Sequence, residues 1–187
     1  MKKLIALALV LAAGSAGATI TTIGDVTPVG TGYTLSTDDG VSDGAIEAFL
    51  GLGAGTLDAI SSGNAVEGSA LSISTNVGSG DTLSFDWFWT SNEFSGAFFN
   101  DFAFVSVSLD GIEILADTFS LDGTIDSFSF TTGVSGALTV GIGVMDVNDG
   151  AVASFLDVDN IAVVPAPASL LLLGLGLAGL GVARRRA

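Results

Sequence analysis

Leu83-Ser84-Phe85-Asp86-Trp87-Phe88-Trp89 is the stretch whose reading decides the fold. Leu83, Phe85, Trp87 and Trp89 recur at every second position, with Ser84, Asp86 and Phe88 between them. A period of two places large apolar groups on one face of a strand, whereas a helix would scatter them around its circumference. Both tryptophans are therefore expected to face a core. Downstream, Ala103, Val105, Val107 and Leu109 form a second stripe, with Phe102 and Phe104 on the opposite side. Asp110-Gly111 predicts a two-residue hairpin into Ile112–Leu115, because both residues tolerate positive φ. Asp122-Gly123 repeats that device before Phe128 and Phe130. Leu138, Val140, Ile142 and Val144 alternate with Thr139, Gly141 and Gly143, and a last strand runs from Phe155 to Val163. Short alternating runs separated by glycine-rich turns predict an all-β chain, a jelly-roll-like β-sandwich. One stretch breaks the rhythm. Ser42-Asp43 caps a short helix carrying Ile46, Phe49 and Leu50 on one side, with Gly51 and Gly53 to stop it. Thr56 is expected to cap a second turn bearing Leu57 and Ile60.

Charge is segregated along the 187 residues. The five basic residues are Lys2, Lys3, Arg184, Arg185 and Arg186, and all twenty acidic ones lie from Asp25 to Asp159. The middle of the chain thus has no side chain with which to form an internal salt bridge. Such a surface repels phosphate, which excludes a nucleic-acid partner. It also repels itself, so cations must screen it or bind it. The chain contains no cysteine and no histidine. Disulfides, thiolate catalysis and cysteine- or histidine-ligated zinc are excluded with them.

The two apolar ends read as addresses. Lys2 and Lys3, the apolar run Leu4 to Ala13 and the small residues Ala16-Gly17-Ala18 form the three zones of a secretory signal peptide. Cleavage after Ala18 by signal peptidase would leave Thr19 as the new N-terminus. An apolar run of about ten residues is too short to span a bilayer, which needs roughly twenty. At the other end come Val164-Pro165-Ala166-Pro167-Ala168-Ser169, an apolar segment from Leu170 to Ala183, and Arg184, Arg185 and Arg186. The prolines end the strand pattern, and the terminal arginines hold the tip of a transmembrane helix on the cytoplasmic side. The expected organisation is a signal peptide at 1–18, an acidic ectodomain at 19–163 and a sorting or anchor segment at 164–187.

Val-Pro-x-Pro-Ala-Ser, a Leu/Gly-rich helix and terminal arginines, in that order, resemble the PEP-CTERM sorting signal of Gram-negative bacteria. Ala166 stands where that family usually has glutamate, so the tail is similar to the variant with an apolar residue between the prolines. The resemblance implies recognition by an exosortase-type membrane protease, transient residence in the inner membrane, and an exported protein associated with exopolysaccharide and biofilm. Residues 42–71 resemble the helical head of many PEP-CTERM ectodomains. Phe85-Asp86-Trp87, Asn92-Glu93-Phe94 and Asn100–Val105 are similar to a recurrent β-sandwich module in them.

Within the ectodomain three chemistries compete. Asp86 and Glu93 flank an aromatic cluster of Trp87, Phe88, Trp89, Phe94, Phe98 and Phe99, and glycoside hydrolysis needs two opposed carboxylates. Nothing in the spacing sets these two across a cleft, so no enzyme is expected and no catalytic residue is assigned. Calcium is the candidate cofactor, because carboxylate, amide and carbonyl oxygens are its ligands. Asn100, Asp101, Asp157, Asp159 and Asn160 are the candidate ligand set. The alternative for Asp157 and Asp159 is that they point to solvent on an edge strand, where charge blocks unwanted pairing. Asp146-Val147-Asn148-Asp149-Gly150 has the opening spacing of an EF-hand loop but not its later glutamate. The functional expectation is a structural protein of the cell surface or extracellular matrix, with a carbohydrate-binding module as the alternative. The loop from Thr90 to Asn100 is the expected place for a binding surface.

Overall fold

The computed structural model describes residues 17–61, 63–93 and 98–167. Its elements, in chain order, are β1 (Thr19–Ile23), β2 (Asp25–Val29), β3 (Gly32–Ser36), β4 (Val41–Ser42), α1 (Asp43–Leu50), α2 (Thr56–Ile60), β5 (Ala65–Val77), β6 (Thr82–Ser91), β7 (Phe102–Val107), β8 (Gly111–Asp117), β9 (Thr124–Thr131), β10 (Gly136–Val147) and β11 (Ser154–Val164). Two antiparallel sheets face each other as a sandwich. In one, β1, β5, β10, β7 and β8 lie side by side and β4 pairs with β5. In the other the order is β2, β3, β11, β6 and β9.

The alternation that starts at Leu83 builds the core between the sheets. Leu83, Phe85, Trp87 and Trp89 of β6 meet Leu71 and Ile73 of β5 and Leu138, Val140, Ile142 and Val144 of β10. A second apolar cluster lies under the helices. Ile46 of α1 and Leu57 of α2 cover Ala70, Phe102, Phe104, Met145 and Val147. β7 is consequently buried on both faces, with Ala103, Val105 and Val107 in the core between the sheets and Phe102 and Phe104 beneath the helices. That is why its sequence is a continuous apolar run, where a one-sided strand would alternate. Leu109 lies beyond the end of β7 and is exposed. Where β4, β5 and β10 meet, a Cβ on Gly68 would stand 2.0 Å from the Val144 carbonyl oxygen and 2.8 Å from the Met145 sulfur. Only a hydrogen fits there.

α1 follows its sequence signals. The Ser42 hydroxyl accepts the Ala45 N–H at 3.4 Å, and Gly51 ends the helix at φ 72°. α2 departs from expectation: Gly55, and not Thr56, is its N-cap, with no cap from its own side chain. The service comes from α1, whose Glu47 carboxylate accepts the Gly55 and Leu57 N–H groups, both at 2.9 Å.

Two turns also differ from the sequence reading. Val107 pairs with Gly111, so three residues, Ser108 to Asp110, form the β7–β8 loop instead of two. Asp122-Gly123 does not close a hairpin. β8 and β9 belong to opposite sheets, and the turn carries the chain across the sandwich while Gly123 donates to the Trp89 carbonyl at 3.0 Å. Near its end β11 bulges: Asp159 pairs with Asp86 and Ala162 with Ser84, so two residues oppose Phe85, and Asn160 takes φ 52°.

Among the described residues no helix is long and apolar enough to cross a membrane. The signal-peptide zones through Ala16, the residues Ala168 and Ser169, the expected transmembrane helix and Arg184–Arg186 lie outside the described residues.

Candidate functional site

The five candidate calcium ligands fall into two places. Asn100 lies just before β7 and is consumed by a clamp on the end of β8: its Oδ1 accepts the Thr118 N–H at 3.1 Å and hydroxyl at 2.6 Å, and its Nδ2 donates to Asp117 at 3.2 Å. Asp101 is wholly buried. Its Oδ1 accepts the Val147 N–H at 3.1 Å and its Oδ2 accepts the Ser154 hydroxyl at 2.7 Å, tying the start of β7 to the end of β10 and the start of β11. Asp157, Asp159 and Asn160 are exposed on β11. Asp157 accepts the Thr34 hydroxyl, Asp159 the Thr31 hydroxyl at 2.8 Å, and Asn160 donates to Asp86 at 2.7 Å. The Thr31 hydroxyl and the Asn160 N–H hold the Asp159 carboxyl below the usual carboxylate range. Asp101 shares no hydrogen-bond partner with these three.

What sequence reasoning passed over is the neighbour of Asp101. Asp146, at the end of β10, is 2% exposed. It shares hydrogen bonds with Asp101 and with the hydroxyl side chain of Thr37. Burial, then the hydrogen bond and the charge of Asp101, push its carboxyl up to about 9. Burial also raises Asp101, against three hydrogen bonds that favour its anion. Burial drives both carboxyls toward the protonated form, and the hydrogen bond between them favours the proton on Asp146. Asp149, on the β10–β11 loop, adds a repelling charge to both. One oxygen of Asp146 and one of Asp149 are buried without a hydrogen-bond partner. The signal in the sequence was the Asp146–Asp149 spacing already noted as an incomplete EF-hand loop. Its partner across β7 was invisible without the β7–β10 pairing, in which Met145 stands opposite Phe102.

Trp87 and Trp89 are core residues, at 6% and 0% exposure. Asp86 faces solvent and engages Asn160, while Glu93 lies past the end of β6, its N–H on the Ser91 hydroxyl at 3.1 Å. Phe94 lies outside the described residues. Phe98 is 67% exposed and meets Phe99 edge-on at 4.7 Å between ring centres.

The chain leaves the sandwich along β11, whose last rung pairs Val164 with Thr82. Beyond it Pro165 and Pro167 are exposed and Ala166, between them, is half-buried. The Ala166 N–H donates to the Asp81 carboxylate at 2.8 Å, and the same carboxylate caps its own turn through the Gly78 N–H at 2.7 Å. These two bonds hold Asp81 below the usual carboxylate range. Residues 163–186 match the family model described as the PEP-CTERM protein-sorting motif. The chain carries a PEP-CTERM sorting signal. The PEP-CTERM motif implies an exported protein processed by an exosortase, and it begins on the final strand of the sandwich. No curated protein matches the chain. Among solved structures it is similar to the secreted serine protease VesC from Vibrio cholerae, at 16% identity and TM-score 0.43, covering 82% of this chain and 25% of that one. It thus spans a quarter of the protease's length. A structure described as "CBM4 structure and function" matches at 10% identity and TM-score 0.35, covering 77% of this chain and 92% of that one. The enzymatically active domain of bacteriophage CBA120 tailspike protein 4 matches at 12% identity and TM-score 0.30, covering 79% and 19%. Likenesses at these scores carry no argument about what this PEP-CTERM chain binds.

Proposed function

We propose that the chain is a non-enzymatic structural protein of the cell surface or extracellular matrix, associated with exopolysaccharide and biofilm. In this reading signal peptidase removes residues 1–18, the C-terminal helix holds the chain in the inner membrane, and an exosortase then processes the tail. The carrying observation is the sorting motif at 163–186, continuous with a domain that contains every acidic residue and no basic one. The framework is read as a jelly roll. Setting aside β1, β2 and β4, the remaining eight strands in chain order stand 1-8-3-6 in one sheet and 2-7-4-5 in the other, the nesting of two Greek keys. A non-catalytic role is supported by the lack of His, Cys, Lys and Arg between Asp25 and Asp159, which leaves most acid–base and nucleophilic schemes without parts.

Fractionation of cells expressing the chain with and without residues 164–187 tests this. The intact chain is expected in the surface or matrix fraction and the truncated one free in the periplasm or medium. Intact, unprocessed polypeptide dissolved in the cytosol would overturn the reading. Hydrolysis of matrix polysaccharide by the purified chain, lost in Asp86→Asn or Glu93→Gln, would replace it with a glycosidase.

The outer face of the five-stranded sheet favours carbohydrate binding as a second reading. Strand register sets Ile125, Phe88, Asp157 and Thr34 side by side, an aromatic ring among polar oxygens of the sort that sugars use. Affinity electrophoresis through gels cast with matrix polysaccharide decides it: retardation abolished by Phe88→Ala supports binding, and unretarded migration removes it.

A further inference from the structure

Val163 and Val164 of the sorting motif are the last rungs of β11, paired with Leu83 and Thr82 of β6. The next three residues, Pro165-Ala166-Pro167, carry one backbone N–H among them, because proline has none. That N–H donates to the Asp81 carboxylate at 2.8 Å. The acceptor is fixed in advance. Asp81 sits in the turn between β5 and β6, where its other oxygen accepts the Gly78 N–H at 2.7 Å. Gly80 donates to the Thr132 carbonyl at 2.7 Å and Thr132 to the Asp81 carbonyl at 2.9 Å, which pins the turn to the end of β9. Gly80 also makes the room: it takes φ 90°, and a Cβ there would stand 3.1 Å from the Cβ of Ala166. Ala166 is half-buried against this corner, while Pro165 and Pro167 on either side are exposed. Both prolines have a fixed φ, so little chain entropy is lost when the segment settles.

We propose that the Gly80–Asp81 corner is a docking site for the chain's own Pro165-Ala166-Pro167, a latch that keeps the motif from its processing protease until the Asp81 contact opens. The inference rests on the reading that an exosortase processes the tail. Extended peptides are commonly gripped through main-chain hydrogen bonds. In the latched chain the only N–H of the three-residue segment is engaged by Asp81, and the two residues before it are held in the sheet. The protease therefore meets a competent motif only in the fraction of chains whose latch is open, and its apparent affinity falls by that fraction. A hydrogen bond to a charged acceptor shifts such a population by about tenfold or more. No lysine or arginine lies between Asp25 and Asp159 to compete for Asp81. A small uncharged side chain is what the corner admits at position 166, since a carboxylate there would meet that of Asp81 with no cation to offset it.

Hydrogen exchange at Ala166 reads the latch itself, in the full chain purified in nonionic detergent from cells without an exosortase. Exchange is expected to be about tenfold faster in Asp81→Ala than in the parent, with Asp81→Asn between them and Val158 unchanged. Pulse-chase labelling in cells that contain the exosortase reads the consequence. Asp81→Ala should be shortened about tenfold faster than the parent, and Asp81→Asn by less. Asp110→Ala, which removes a carboxylate from the β7–β8 loop, should be shortened at the parental rate. An Ala166 amide that exchanges in the parent as freely as in an unstructured peptide overturns the latch, a result that needs no variant to fold. Equal shortening rates in the parent and Asp81→Ala overturn it too. A chain that is never shortened, although its Ala166 is protected, would instead defeat the exosortase reading and bear out the docking contact.

Discussion

Burial, with the hydrogen bond and charge of Asp101 and the charge of Asp149, favours a proton on Asp146, and the sign of the resulting pH dependence follows directly. Its folded pKa, about 9, lies above the ordinary aspartate value of 3.8. The folded chain therefore binds this proton more tightly than the unfolded one. The associated stability is complete below pH 3.8 and is lost as pH climbs toward 9. Asp101 titrates as part of the same pair and shares the direction. In chelator at fixed ionic strength, the melting midpoint is expected to fall steadily from pH 5 to pH 9. Asp146→Asn keeps a donor toward Asp101 without a titrating proton, so it should flatten that slope and melt higher than the parent at pH 8. A midpoint that rises through this range would mean that Asp146 is ionised in the fold.

The two short helices show how one element is secured by another. α2 has five residues, too few to persist alone when helix nucleation is so unfavourable. Glu47, 3% exposed on α1, satisfies two of its orphan N–H groups. Glu47→Ala is expected to cost about 2–3 kcal/mol, since it strands the buried Leu57 N–H and frees the Gly55 N–H, both of which had bonded to a charged acceptor. Urea unfolding measures the loss, and hydrogen exchange at Gly55 and Leu57 should accelerate more than at Ala45. Glu47→Gln, which retains an acceptor, should lose less. This dependence was not legible in the sequence, where Thr56 stood in the usual capping position. The strands were legible wherever one face met the core, as Leu83 to Trp89 and Leu138 to Val144 did. The α1 boundaries were legible too, because Ser42 and Gly51 act within a few residues. Asp122-Gly123 misled because a turn's local chemistry is the same whether the chain doubles back within a sheet or crosses to the other. Asp101 and Asp146 were unreadable as a pair for a related reason: strand register, a property of the whole sheet, sets them together.

At the scale of the molecule, the described part of the sorting motif, residues 163–167, is fastened to the fold chiefly at its last strand. β11 lies between β3 and β6 and pairs with both, and Leu156 and Val158 on it are buried in the central core. Past Val164, among the described residues, the hydrogen bond to the fold is the one from Ala166 to the half-buried turn at Asp81. A chain that is to be separated from its tail needs this division, because stability must reside upstream of the processing segment. Truncation after Val164 is therefore expected to cost no more than about 2 kcal/mol, the worth of one part-buried hydrogen bond to a carboxylate. Truncation after Phe155 removes Leu156 and Val158 and opens the centre of the five-stranded sheet. Two buried aliphatic side chains alone contribute about 3–6 kcal/mol, a large share of the 5–15 kcal/mol that holds a typical domain together. The shorter chain should lose its cooperative melt and its near-ultraviolet signal from Trp87 and Trp89. If instead the two truncations melt alike, the last strand is not the keystone of the sandwich, and the placement of the sorting motif on it would have no bearing on the stability of the released domain.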